Sequence, residues 1–72
     1  MATLAELRKI ARDGGSVRVH AGRFHPTRLV WLARDVRKGG GTLTLVNAGV
    51  LRQHERGWIE REAPRQVIFE FE

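Results

Sequence analysis

Three histidines, His20, His25 and His54, are the side chains of this 72-residue sequence that could transfer a proton near neutral pH. None of them lies at metal-ligand spacing from another histidine, and the sequence contains no cysteine. Ser16 is the single serine and falls at an outward position of a predicted strand, which leaves it without a catalytic partner. We therefore predict a protein that is not an enzyme, with no cofactor, no metal site and no small-molecule substrate.

Arg23, His25 and Arg28 are the strongest candidates for binding a ligand. They surround a predicted helix start at Pro26, where free backbone amides and the positive end of the helix dipole attract anions. We take these three residues as a candidate anion-binding site. The alternative is that both arginines are solvated and that Phe24 anchors the loop to the core, which is the common arrangement at helix starts.

The run RKGGGT, residues 37–42, contains the residue types of a phosphate-binding loop in the wrong order. In such a loop a strand leads into a helix and the lysine follows the glycines. Here Lys38 precedes the glycines, and a predicted helix leads into a predicted strand. We interpret the glycines as a helix end followed by a turn.

The elements that must position these residues alternate between helix and strand. Thr3 and Glu6 have the spacing of a capping box and predict the start of the first helix. Apolar periodicity predicts two more helices, one from residue 25 to the glycines at 39–41 and one over residues 51–62. Each helix precedes an alternating strand, with the sequences SVRVH (16–20), TLTLV (42–46) and RQVIFEFE (65–72).

The spacing from helix to strand is the same in the first two units. Val17 follows Ile10 by seven residues, and Leu43 follows Val36 by seven residues. We interpret residues 1–72 as one repeat-like α/β domain with units of about 3–24, 25–50 and 51–72. A helix that connects two parallel strands makes a right-handed crossover, and it packs on the apolar face of the sheet. Strands with a single apolar face therefore have all their helices on that face. The predicted fold is a small two-layer sandwich of three helix-strand units, with a three-stranded, mainly parallel sheet in the order 1-2-3 and helices on one face.

The predicted core has a strand side and a helix side. The strand side consists of Val17, Val19, Leu43, Leu45, Val67 and Phe69, and the helix side of Leu7, Ile10, Leu32, Val36 and Ile59. Trp31 and Trp58 occupy corresponding helices and are expected at the rim of this core, where an indole ring seals apolar side chains from water. The alternative is that one of them anchors a partner protein.

Charge is distributed unevenly along the chain. Residues 1–56 carry eleven cationic and four acidic side chains, a net charge of +7, whereas residues 57–72 carry two and four, a net charge of −2. The first predicted strand carries Arg18 and His20, and the last carries Ile68, Glu70 and Glu72, so the two edges of the sheet have complementary charge. We take these five residues as a candidate interface for a second copy or another protein. The first functional hypothesis is therefore a non-enzymatic protein-interaction or self-assembly module.

Nucleic-acid binding is the alternative hypothesis, because the net charge of the whole sequence is +5. It ranks second because the predicted polar face of the sheet offers no aromatic side chain on which a base could stack. The N-terminal segment has charges where a signal peptide has an apolar core, and no run approaches the ~20 apolar residues of a membrane span. We expect a cytoplasmic protein that does not associate with membranes.

Overall fold

Helices and strands alternate along the whole chain in the computed structural model, which describes residues 2–71. The helices are α1 (Leu4–Arg12), α2 (Pro26–Gly39) and α3 (Gln53–Glu62), and the strands are β1 (Val17–His20), β2 (Leu43–Val46) and β3 (Val67–Phe69). A short 3-10 helix, Ala48–Val50, lies between β2 and α3. The third helix therefore begins later than the apolar periodicity predicts, because residues 48–50 form a separate turn.

The three strands form one parallel sheet in the order β1-β2-β3. Val17 pairs with Leu43, and Leu43 pairs with Val67, so equivalent positions of the three strands form one row across the sheet. The helices pack against one another in chain order and cover the apolar side of the sheet. These observations confirm the predicted small α/β sandwich.

Apolar side chains of both layers meet in one core. Val17, Val19, Leu43 and Leu45 from the strands and Leu7, Leu32, Val36 and Ile59 from the helices are buried as predicted. Val67 and Phe69 are only half-buried, although they pack against this core. They belong to β3, and α3 is the last helix among the described residues, so no further helix of residues 2–71 covers them.

Ile10 was predicted in the core, and this prediction was wrong, since 45% of its surface is exposed. At 100° per residue, Leu7 and Ala11 fill the side of α1 that faces the core, while Arg8 and Arg12 reach α2. Ile10 is left on the flank of α1 that points away from α2. The apolar periodicity identified the helix, but the apolar face that it predicted wrongly included Ile10.

Side chains cap all three helices at their starts. Thr3 and Glu6 form the predicted capping box, in which the Glu6 N–H donates to Thr3 Oγ1 at 3.2 Å and the Thr3 N–H donates to Glu6 Oε1 at 2.9 Å. His25 caps α2, and Glu55 accepts a hydrogen bond from the backbone N–H of Arg52 at the start of α3. The last strand is shorter than the predicted 65–72, because Arg65 lies in a turn with a φ of 69° and β3 ends at Phe69.

The glycines that follow α1 and α2 allow the two turns to touch through their backbones. A Cβ atom on Gly39 would overlap the carbonyl oxygen of Ala11, and a Cβ atom on Gly41 would overlap that of Gly15. Both contacts join the end of α1 and the turn after it to the end of α2 and the turn after that helix. The glycines therefore do more than end helices, because they set how closely α1 can approach α2.

This contact predicts opposite effects for two glycine-to-alanine changes. Gly39→Ala should destabilise the fold by about 1–3 kcal/mol, because the added methyl group must push the two backbones apart. Gly57→Ala should stabilise it by up to about 1 kcal/mol, since Gly57 lies inside α3 with open space around its Cα. Denaturant unfolding followed by circular dichroism measures both values, and equal effects at the two positions would contradict the assigned contact.

Candidate functional site

Two of the three candidate anion-binding residues, Arg23 and His25, are already engaged by the chain itself. His25 Nδ1 accepts a hydrogen bond from the backbone N–H of Thr27 at 3.1 Å and so caps α2. Arg23 donates to the carbonyl oxygen of Ala2, and its guanidinium lies 4.8 Å from the ring centroid of Phe24. Phe24 packs against the core, as the alternative interpretation expects. Arg28 is exposed at the start of α2, and the anion site remains a prediction.

Arg18 and Glu70 form an ion pair within one chain. The Arg18 guanidinium lies 2.8 Å from the Glu70 carboxylate, which it reaches from β1 across β2 to the end of β3. The opposite charges assigned to the two sheet edges therefore meet on the uncovered face of a single sheet, and they do not argue for contact between copies. Glu72, the remaining acidic candidate, lies outside the described residues.

The uncovered face of the sheet has a polar side and an apolar side. His20 Nδ1 accepts from the Gly22 N–H at 3.0 Å, and its Nε2 lies 3.3 Å from the side-chain nitrogen of Asn47. Thr44 of β2 is half-buried and pairs in register with Ile68 of β3, whose side chain is 47% exposed. Of the candidate interface residues that the structure describes, Ile68 is thus the apolar one, and it lies on the edge strand.

The outer edge of β3 has backbone groups that the sheet does not use. The Leu43 N–H donates to the Gln66 oxygen at 2.8 Å, and the Glu70 N–H donates to the Leu45 oxygen at 2.9 Å. Because the backbone of a strand directs its polar groups alternately to either side, residues 66, 68 and 70 face β2. The N–H and C=O groups of Val67 and Phe69 point away from the sheet.

Among residues 2–71, Asp35 is the buried charged residue, and it was not identified from the sequence. Its side chain is 3% exposed, and it accepts from Arg8 Nε at 2.6 Å and Arg12 Nε at 3.0 Å. Burial raises the pKa of a carboxyl group, but the hydrogen bonds and charges of the two arginines together outweigh it and lower the pKa of Asp35. The spacing of Arg8 and Arg12, one helical turn apart, is the signal that could have indicated a shared partner.

A groove of about 300 Å³ runs between α2 and α3 on the outer side of the helix layer. Trp31 and Trp58 line it, and Arg34 and Glu62 bridge it with an ion pair of 3.0 Å. The hydrogen bond from Arg34 lowers the pKa of Glu62 against a smaller opposing effect of burial, and the charges of Arg34, Arg37 and Arg61 lower it further. Trp31 is 39% exposed and Trp58 is 46% exposed, so a position at the rim of the core and a contact with a partner protein both stay predictions.

Comparison with known proteins gives no functional assignment, because no family profile, curated protein or solved structure matches the chain. Within residues 2–71, no helix is both long and apolar enough to cross a membrane. The same residues contain no cluster of three or more histidine, aspartate or glutamate side chains that could hold a metal ion. Function has to be argued from the surfaces described above.

The lowered pKa of Asp35 predicts a pH-dependent contribution to stability. Because its folded pKa lies below the ordinary 3.8, its stabilising effect is present above that value and is lost as the pH falls through the folded pKa. Asp35→Asn should cost about 1–3 kcal/mol at pH 7, and this difference from wild type should shrink as the pH approaches 2.

The matched control is Asp13→Asn, which removes an exposed partner of Lys9 and should change the free energy of unfolding by less than about 0.5 kcal/mol. Urea unfolding of the three proteins between pH 2 and 7 measures both effects. A difference between Asp35→Asn and wild type that does not vary with pH would contradict the buried ion pair.

Proposed function

We propose that the chain is a non-enzymatic protein-interaction module that forms a symmetric dimer through β3. The observation that carries this proposal is the open edge of β3. Val67 and Phe69 direct unpaired backbone groups outward there, and their side chains are half-buried while Ile68 is 47% exposed. Natural edge strands are usually protected by lysine, proline or a bulge, and the three residues of β3 contain none of these.

Two-fold symmetry fixes how two such edges pair. The outward backbone groups belong to Val67 and Phe69, so an antiparallel pair exchanges hydrogen bonds between Val67 of one copy and Phe69 of the other, twice. The symmetry axis then passes between the two copies of Ile68, whose Cα atoms would be about 4.5 Å apart. The result is a continuous six-stranded sheet with both helix layers on the same side.

The asymmetry between the two sheet edges favours β3 over β1 as the dimer contact. At β1, the inward side chains Val17 and Val19 are only 3% and 6% exposed, because α1 and α2 cover them from both sides. At β3, Val67 and Phe69 have α3 on one side only, and pairing with a second copy would bury more of both. Burial of apolar surface stabilises an interface by about 25 cal/mol per Å² before the costs of association.

Binding is favoured over catalysis because the carboxylates that line the α2–α3 groove and a second depression already serve the fold. Glu62 of the α2–α3 groove is paired with Arg34. Glu55, in a depression of about 440 Å³ at the carboxyl ends of β1 and β2, accepts the backbone N–H of Arg52. A general acid or base needs a titrating group that is free to reach a substrate.

Engineered cysteines test the proposed pairing directly, since the sequence has none of its own. Ile68→Cys should form a disulfide-linked dimer under mild oxidation, because a Cα separation of about 4.5 Å suits a disulfide. Thr44→Cys is the matched control. It lies on the same face in register with Ile68, but the two copies would be roughly 14 Å apart at ~4.8 Å per strand.

Non-reducing gels and light scattering provide the measurements. Ile68→Lys should convert the dimer to a monomer by placing two ammonium groups side by side. A wild-type protein that is monomeric at high concentration would overturn the proposal. Cross-linking of Thr44→Cys would indicate instead that the uncovered sheet faces meet.

Nucleic-acid binding is the second candidate, and the net charge of +5 supports it. On the uncovered face of the sheet, however, Arg18 is neutralised by Glu70. We therefore expect only weak binding that is lost as salt rises from low to physiological concentration. A gel-shift titration against single- and double-stranded oligonucleotides tests this, and a complex that survives physiological salt would favour nucleic-acid binding.

A further inference from the structure

Two large aromatic side chains are exposed along the α2–α3 groove. Trp31 is 39% exposed and Trp58 is 46% exposed, and both line the groove. Leu32 and Ile59, which neighbour them in sequence, are fully buried in the core. Tryptophan is over-represented among the side chains that dominate binding energy at interfaces.

The groove is cationic around this aromatic lining. Arg34 and Arg61 line it, and the guanidinium of Arg8 lies 5.7 Å from the ring centroid of Trp31. Glu62 is the acidic side chain of the lining, and Arg34 already neutralises it. The remaining charge of the groove is therefore positive, and it favours an acidic partner.

The size of the groove favours a single side chain over a whole small-molecule ligand. Its volume of about 300 Å³ lies at the lower limit of small-molecule pockets. An apolar side chain inserted between two indole rings would be desolvated on both sides, while flanking carboxylates could reach the arginines. This arrangement combines an apolar anchor with a charged rim, as in other peptide-binding grooves.

We propose that the α2–α3 groove binds an acidic peptide segment that inserts one large apolar side chain between Trp31 and Trp58. Arg61 contacts its carboxylates. A single-stranded nucleic acid fits less well, because Arg8 already covers one face of Trp31 and leaves less of that ring for a base to stack on. The groove lies in the helix layer, so this proposal does not depend on dimerisation through β3.

Selection from a random 12-residue peptide library displayed on phage identifies the preferred sequence. Selected peptides should carry leucine, isoleucine, phenylalanine or tryptophan flanked by aspartate or glutamate. Absence of enrichment, or enrichment of sequences without acidic residues, would overturn the proposal.

A synthesised peptide from the selection then allows a direct titration. Trp31 and Trp58 are the only tryptophans and the sequence has no tyrosine, so intrinsic fluorescence reports on the groove itself. Trp58→Ala should weaken binding at least tenfold, and Arg61→Glu should weaken it severalfold with a reduced dependence on salt. Lys9→Glu is the matched control, because it makes the same charge change at an exposed position of α1 outside the groove lining and should alter affinity less than twofold.

Further measurements separate the competing occupants. Circular dichroism melts establish that each variant is folded, and Trp58→Phe should retain part of the affinity. Ile68→Lys should bind the peptide like wild type, which distinguishes failure of the dimer from failure of the groove. Competition by oligothymidine would overturn the proposal in favour of nucleic acid, and tryptophan emission that changes with protein concentration alone would overturn it in favour of a second copy.

Discussion

The contact between the two glycine turns determines the spacing of the rest of the molecule. With hydrogen alone at Gly39 and Gly41, the backbone that follows α1 lies directly against the end of α2. Because each turn leads straight into a strand, the same contact brings Val17 opposite Leu43 in the sheet. It also brings α1 close enough for two of its arginines to reach a buried carboxylate on α2. Helix packing and strand register thus depend on a single close approach.

Charge pairing within the chain uses acidic side chains that could otherwise have faced a partner. Asp35 holds Arg8 and Arg12, Glu62 holds Arg34, and Glu70 holds Arg18, and each pair joins two different elements. Since cationic side chains outnumber carboxylates in the sequence, the net charge that remains after this pairing is positive. A partner attracted by charge would meet this excess on the helix layer more than on the sheet. That distribution connects the ion pairs that support the fold with the kind of molecule the surface can recognise.

Sequence patterns predicted the parts of the structure that depend on one element at a time. Alternation identified the strands, and the Thr3–Glu6 spacing identified a helix start, because both signals reflect local geometry. The pattern misplaced Ile10 and gave no sign of the Asp35 cluster, since which flank of a helix meets its neighbour depends on packing between elements. The Arg18–Glu70 pair was missed for the same reason. It joins residues that are distant in sequence, and the charges were assigned to separate edges instead of to one face.

The graded burial across the sheet has a consequence for how the chain folds during synthesis. Residues 2–46 contain β1, β2 and the first two helices, so a two-stranded part of the sheet is synthesised before α3 supplies the buried Ile59 and before β3 follows it. The half-buried strand is then added to an existing template. Local opening of β3 should accordingly cost less free energy than opening of β1 or β2. β3 can separate from β2 and pair with it again while β1 and β2 remain folded.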